Sequence, residues 1–170
     1  MDQTASMRGE GFLAIWSDVD AAQETDYLHW LSREHTAERL GVEGFIAVRV
    51  FKAIADGINR FLIIYELESA AALAGQPYLD RLNAPTPWSQ RIMPILKNFA
   101  RGGGRRVASM GAGRGGIIAV LRLETEPLPG EEVIGCLVAG DRIVAAHLLQ
   151  TDRARTGIKT NEKGLRANDG

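Results

Sequence analysis

The residues best suited to chemistry are three ionisable side chains, Glu34, His35 and Glu38, near the end of one predicted helix. At about 100° per residue they continue a face that must be buried because it is apolar. That face is formed by Tyr27, Leu28, Trp30 and Leu31. Ionisable groups are costly to bury unless they are paired, hydrated or beside a cavity. The pattern therefore predicts an open space beneath this helix.

Three interpretations of His35 follow from its position. An imidazole facing a cavity has a pKa of about 6.5 in water and could move a proton, with Glu34 or Glu38 setting its tautomer or charge. Alternatively, both glutamates lie at the rim of the core, paired with Arg39 or Arg49, and His35 is a packed core residue. Ligation of haem iron by His35 is a third possibility, although no sequence feature identifies an axial ligand.

A charged residue and several aromatic residues complete the candidate site. Arg49 interrupts an apolar strand face, so its guanidinium must meet a carboxylate, a carbonyl or a substrate anion. Glu34 and Glu66 are its expected partners, and Arg49 would then support His35 in catalysis. The predicted substrate-binding residues are Trp16, Trp30, Glu38, Tyr65 and Trp88. Large aromatics around a cavity favour an aromatic or polycyclic ligand, whereas plain core packing is the alternative for each.

Other signals exclude several classes of function. The formal net charge of −1 gives no general attraction to nucleic acid or to an anionic membrane. No segment approaches the about 18 apolar residues of a membrane span, which predicts a cytoplasmic protein. Cys136, the single cysteine, lies in the apolar run VIGCLVAG and is expected to be buried. No metal-binding spacing is present, so no metal cofactor is expected.

The elements that must position these residues follow a recognisable order. Hydrophobic periodicity predicts strand, helix, strand, strand, helix and strand, the βαββαβ order of a ferredoxin-like α+β module. The long helix is expected over Asp20 to Leu40, and the fourth strand over Arg105 to Met110. The predicted divisions are a disordered leader (1–10), the module (11–110), a glycine-rich joint (111–116), a partial second repeat (117–151) and a polar tail (152–170).

One side of the sheet in such a module is not covered by its own helices. Packing two sheets together would bury that side, so the chain is expected to form a homodimer that closes into an α/β barrel. Within the module, four segments resemble EthD-like members of the dimeric α/β barrel superfamily. They are YLHWLSREHTAERL, GFIAVRVFK, FLIIYELES and YLDRLNAPTPW. Relatives in this superfamily include cofactor-free monooxygenases, isomerases and haem-binding proteins, so the resemblance implies a fold and a pocket and leaves the reaction open.

The combined expectation is a small-molecule enzyme that acts on a hydrophobic, aromatic or carbonyl-bearing compound. His35 would transfer the proton, with support from Glu34 and Arg49, in an isomerase, lyase or cofactor-free monooxygenase reaction. No resident cofactor is needed for such chemistry. A non-catalytic binding protein that uses the same pocket, or a haem-binding protein, is the alternative function.

Overall fold

The computed structural model describes residues 6–124, 130–152, 154 and 159–166. Its strands are β1 (Gly11–Asp18), β2 (Phe45–Lys52), β3 (Arg60–Leu67), β4 (Lys97–Met110) and β5 (Ala146–Thr151). They form one antiparallel sheet in the order β2-β3-β1-β4-β5. The first four strands, with helices after β1 and β3, form a βαββαβ module. The predicted ferredoxin-like fold is confirmed.

The first helical run covers the predicted length but is not a uniform α-helix. A 3₁₀ turn at Ala21–Gln23 leads into α1 (Glu24–Trp30), a π-helical turn at Leu31–His35, and α2 (Thr36–Leu40). A π turn holds more residues than an α turn, so each residue advances by a smaller angle. His35 and Arg39 thereby rotate into the buried face, while Glu34 and Glu38 lie at its edge.

The second helical region consists of several short pieces. Ser69 accepts a hydrogen bond from the backbone N–H of Ala71 and so caps a 3₁₀ turn at Ala70–Ala74. The pieces that follow are α3 (Gln76–Asn83), α4 (Pro87–Ile92) and a 3₁₀ turn at Met93–Ile95. Thr86 caps α4 by accepting from the N–H of Ser89 at 3.0 Å. Together with the first run, these pieces cover one face of the sheet and enclose the main core.

Strand β4 is longer than predicted, since it starts at Lys97 rather than Arg105. The first part of the strand is not evident in the sequence, because its glycines give no alternation of polar and apolar side chains. Gly102 and Gly104 pair with Ala14 and Phe12 of β1. A Cβ atom at Gly104 would collide with the carbonyl of Gln150 in β5, so this close approach requires glycine.

The second face of the sheet carries a smaller apolar cluster. Its buried members are Met7, Phe12, Ala14 and Leu62. The backbone N–H of Arg8 donates to the Glu66 carboxylate, and Arg114 donates to both oxygens of the same carboxylate at 2.7 and 2.8 Å. Ser6 and Met7, in the second half of the predicted disordered leader, are buried, and residues 1–5 of that leader lie outside the described ones.

The C-terminal part departs from the sequence prediction in three places. Residues 117–124, at the start of the predicted second repeat, have no strand pairing. The described elements after them are α5 (Glu131–Val138), β5 and α6 (Asn161–Gly164). Cys136 is exposed because α5 presents it to solvent, so its predicted burial is wrong. The tail was expected to bury little, yet Glu162 and Arg166 are buried.

No helix in the described ranges is long and apolar enough to cross a membrane.

Candidate functional site

A small cavity lies between the first helical run and the helix-covered face of the sheet. Its volume is about 20 Å³, enough for little more than one water molecule. The polar side chains that line it are Ser17, Tyr27, His35, Tyr78, Arg39, Arg101, Glu162 and Arg166. The remaining wall is apolar and includes Trp30, Met93 and Phe99. This small space combines apolar walls with several convergent polar groups, as small-molecule sites do.

His35 is buried at the wall of this cavity with 3% of its surface exposed. Its ring stacks on Trp30 with the centroids 4.1 Å apart. The indole N–H of Trp30 donates to Ser89 Oγ at 3.1 Å, which fixes the indole ring against His35. His35 Nδ1 is buried and has no hydrogen-bond partner within residues 6–124, 130–152, 154 and 159–166. Burial, followed by the charges of Arg39 and Arg166, holds the pKa of His35 well below its usual value, so the imidazole is neutral at neutral pH.

Arg39 is a buried charge that the sequence assigned only a supporting role. Its Nη2 donates to Glu162 Oε1 at 2.5 Å, and both side chains are almost completely buried. Burial is the largest single influence and opposes the charge on the guanidinium, but Glu162 together with Tyr78 and Tyr65 outweighs it, so the pKa of Arg39 is raised. Arg39 follows His35 by four residues and therefore shares its helix face. That spacing is the signal that could have placed Arg39 in the site.

Three tyrosines and a second arginine lie at or near the polar wall. Arg101 Nη2 donates to the hydroxyl of Tyr78 at 2.9 Å, whereas Arg101 Nε is buried without a hydrogen-bond partner among the described residues. The buried hydroxyl of Tyr65 likewise has no partner in the described part of the chain, and burial strongly raises its pKa. Burial raises the pKa of Tyr27 to about 12, and its hydroxyl lies 3.3 Å from Ser17 Oγ. Tyr27 and Tyr65 are therefore neutral hydrogen-bonding groups at neutral pH.

The two glutamates predicted to support His35 have other partners. Thr86 Oγ1 donates to Glu34 Oε1 at 2.6 Å. Glu38 pairs with Arg81 at 3.5 Å, near the protein surface. The expected pairing of either glutamate with Arg39 or Arg49 is wrong, because within the described part of the chain Arg39 pairs with Glu162 and Arg49 with the Gly115 carbonyl. Both lie at the edge of the helix because of the π turn.

Arg49 lies on the opposite face of the sheet from His35. It is paired in register with Ile64, a member of the second-face cluster, and its guanidinium lies 4.7 Å from the centre of the Phe51 ring. Its Nη2 donates to the carbonyl of Gly115. The predicted meeting with a carbonyl is therefore correct, but the expected partners Glu34 and Glu66 are not. Arg49 is separated from His35 by the sheet.

The predicted aromatic residues divide between the two faces. Trp30 lines the cavity, and Tyr65 is in the main core. Trp16 packs on the second face, with the guanidinium of Arg122 at 5.2 Å from its ring centre. Trp88 packs at the edge of the main core and donates to Asp26 Oδ1 at 3.1 Å. Of the predicted site residues, the structure brings only His35 and Trp30 to the cavity wall; the unpredicted Arg39, Arg101 and Glu162 join them.

No protein-family model matches the chain. No curated protein matches it either. Among solved structures, a dimeric ferredoxin-like protein from an uncultured marine organism is 13% identical, with a TM-score of 0.48 over 59% of this chain and 90% of that one. The heme-degrader MhuD from Mycobacterium tuberculosis, solved with two hemes bound, is 14% identical, with a TM-score of 0.42 over 59% and 99%. Likenesses this distant carry no conclusion about activity, and the fold assignment rests on the strand order.

The buried, neutral His35 predicts a pH dependence of stability. Below about pH 6.5 the imidazole of the unfolded chain takes up a proton that the folded state resists, so this contribution is complete above that pH and is lost as the pH falls. We expect His35 to lower the free energy of unfolding by about 1.4 kcal/mol per pH unit below pH 6.5. Urea unfolding at pH 7.5, 6.0 and 5.0 measures the slope.

The matched control is His35→Phe, which keeps a ring against Trp30 and removes the titration. Burial also lowers the pKa of His147, but that residue is present in both proteins, so its contribution cancels in the difference. Equal slopes for the two proteins would show that His35 takes up a proton freely in the folded state.

Proposed function

We propose that the chain binds a small hydrophobic, aromatic or carbonyl-bearing compound in the cavity beside His35 and acts on it by proton transfer. The observation that carries this proposal is the environment of His35: a buried, neutral imidazole, fixed against Trp30, with an unpartnered Nδ1 at a cavity wall. A buried polar atom without a partner carries a cost that a ligand can remove. A neutral imidazole can also accept a proton.

The proposed roles follow from these positions. His35 accepts a proton from a carbon next to the ligand carbonyl, and returns it to the same or a neighbouring carbon. Arg101, which has a buried Nε without a partner, supplies a positive charge that would stabilise the developing enolate oxygen. Trp30 provides a flat apolar surface for an aromatic ring. The reaction class is isomerisation, or another reaction that starts with the same proton abstraction.

Deuterium incorporation tests the proposal directly. Native mass spectrometry of freshly purified protein identifies a retained ligand, or an aromatic ketone library supplies one. In D₂O, the wild type is expected to exchange the hydrogen next to the carbonyl of the bound compound, and His35→Gln to lose at least about a hundredfold in rate, the usual contribution of a general base. His147→Gln is the control and should retain the wild-type rate, because His147 lies in the edge strand β5 and does not line the cavity.

The results separate the alternative functions. If compounds bind but His35→Gln exchanges them as fast as the wild type, the protein is a carrier rather than a proton-transfer enzyme. The cavity of about 20 Å³ must enlarge for any organic ligand, and it must enlarge far more for a porphyrin than for a single aromatic ring, so the closed site does not fit haem. A Soret band that appears with haem and disappears in His35→Ala would instead support haem binding and contradict our proposal.

We also propose that two copies pair through the second face of the sheet, as EthD-like proteins would. Arg114 and Gly115 cross this face, where they contact Glu66 and Arg49. Residues 117–123 follow them and expose several large apolar side chains. These are Ile117, Leu121 and Leu123, with exposures of 76%, 80% and 61%. Since an apolar strip next to the second-face cluster is unfavourable in water, a second copy is the partner that the fold favours.

Native mass spectrometry is expected to show a dimer for the wild type and mainly a monomer for Leu121→Lys, because the new charge would be buried at the interface. Ile54→Lys is the matched control, since Ile54 is equally exposed at 81% but lies in the β2–β3 turn. A monomeric wild type, or equal dimerisation of both variants, would contradict the proposed interface.

A further inference from the structure

The C-terminal helix α6 closes the cavity with a carboxylate. Glu162 has 4% of its surface exposed and places Oε1 at 2.5 Å from Arg39 Nη2. Arg166, just after this helix, lies with its guanidinium 4.1 Å from the centre of the Phe99 ring. Both side chains line the same cavity as His35. The end of the chain therefore occupies space where a ligand would otherwise lie.

Helix α6 has four residues, which is too short to be stable by itself. Its N-terminal end is held to α3 by two hydrogen bonds from Asn161 to Asn83, at 3.1 and 2.8 Å. Thr160 caps it by accepting from the N–H of Lys163, and Leu165 packs against the main core. Because a helix this short depends on these tertiary contacts, we expect the segment to open at a lower free energy than the core does.

The groups that remain after such an opening would bind an anion. Arg39 lies on the buried face of α2. It loses its only carboxylate partner among the described residues when Glu162 leaves. Among the residues that the structure describes, the buried Nε of Arg101 has no hydrogen-bond partner. The same holds for the Tyr65 hydroxyl, which interacts electrostatically with Arg39 and Glu162. A buried guanidinium needs an anion, and a carboxylate fits its geometry best.

We propose that Glu162 is an internal stand-in for the ligand, and that the cavity binds the carboxylate of a small aromatic or apolar organic acid on Arg39. This inference rests on the proposed function, because it names the ligand class for the same site. The ligand carboxylate would replace that of Glu162 on the guanidinium, and its apolar part would lie against Trp30. Release of α6 would supply the volume that the closed cavity lacks.

Calorimetry with benzoate and its neutral analogue benzamide tests this inference on the full-length protein. Glu162→Gln is expected to bind benzoate at least about tenfold more tightly than the wild type, since the internal competitor no longer holds the site closed. The affinity for benzamide should change much less. Arg39→Met in the Glu162→Gln background should abolish the gain. Glu38→Gln, which neutralises a carboxylate paired with Arg81 outside the cavity, is the matched control.

A second variant covers the case in which Glu162→Gln folds poorly. Asn83→Ala removes one hydrogen bond that holds α6 and leaves the cavity side chains intact, so benzoate should again bind more tightly. Amide hydrogen exchange over residues 159–166 should rise when benzoate binds. If benzamide and benzoate both bind and neither variant favours benzoate, the carboxylate inference is wrong while the proposed pocket stands. If no aromatic compound binds any of these proteins, both proposals fail.

Discussion

Trp30→Ala is expected to lower the free energy of unfolding by about 3–5 kcal/mol, the usual cost of removing a fully buried large aromatic side chain. Trp30 has 1% of its surface exposed, and it contacts the rings of His35 and Tyr27. Its removal creates a void beside an existing cavity and leaves Ser89 without its hydrogen-bond donor. The surrounding helices cannot collapse fully, because their other contacts to the sheet hold them in place.

Urea unfolding followed by circular dichroism measures this loss. Trp88→Ala is the matched control, since Trp88 is only partly buried and bonds to the exposed side of α1 through Asp26. We expect a clearly smaller loss for the control. Equal losses for the two variants, or a loss under about 1 kcal/mol for Trp30→Ala, would show that Trp30 is not the centre of the packing around His35.

The second large effect concerns the buried pair of Arg39 and Glu162. Arg39→Met and Glu162→Gln are each expected to cost about 3 kcal/mol, because each leaves one charged partner without compensation. The value lies at the lower end of the range for buried pairs, since α6 can move away and expose the remaining charge to water. The double variant has no uncompensated charge. It should therefore be more stable than the sum of the single losses predicts.

A double-mutant cycle in urea measures the coupling, which we expect to be about 2 kcal/mol. The cycle on Glu38 and Arg81 is the control, because that pair lies partly exposed at 3.5 Å and should couple by less than about 1 kcal/mol. Purely additive losses for Arg39 and Glu162 would mean that the two side chains do not meet in solution, which would remove the basis for the stand-in role of Glu162.

The sequence predicts the fold well because local signals and hydrophobic periodicity agree along the module. The first helix, predicted over Asp20 to Leu40, and the order of strands and helices in the module depend on such local signals, and the structure has both. Strand β4 was partly missed because its glycines carry no periodic signal. The sequence does not predict the exposure of Cys136, because an apolar run is compatible both with a buried strand and with one side of a partly exposed helix.

The site is predicted less completely because its geometry depends on distant contacts. His35 was found because it follows an apolar stripe by helical spacing. The π turn, which has no simple sequence signature, moved Glu34 and Glu38 to the edge and brought in Arg39. The partner of Arg39 lies 123 residues away in a polar tail, and no local pattern could have identified it. Arg49 failed as a support for His35 because the face of the sheet could not be assigned from alternation alone.

The space beside His35 must open before a ligand can bind there. A titration of ¹⁵N-labelled Glu162→Gln with benzoate, followed by the indole N–H signals, detects this opening, because the three tryptophans lie in three different places. We expect a saturable shift of the Trp30 signal, with those of Trp16 and Trp88 little changed. A titration that shifts Trp16 while leaving Trp30 unchanged would place the ligand on the opposite face of the sheet and rule out the cavity beside His35 as the binding site.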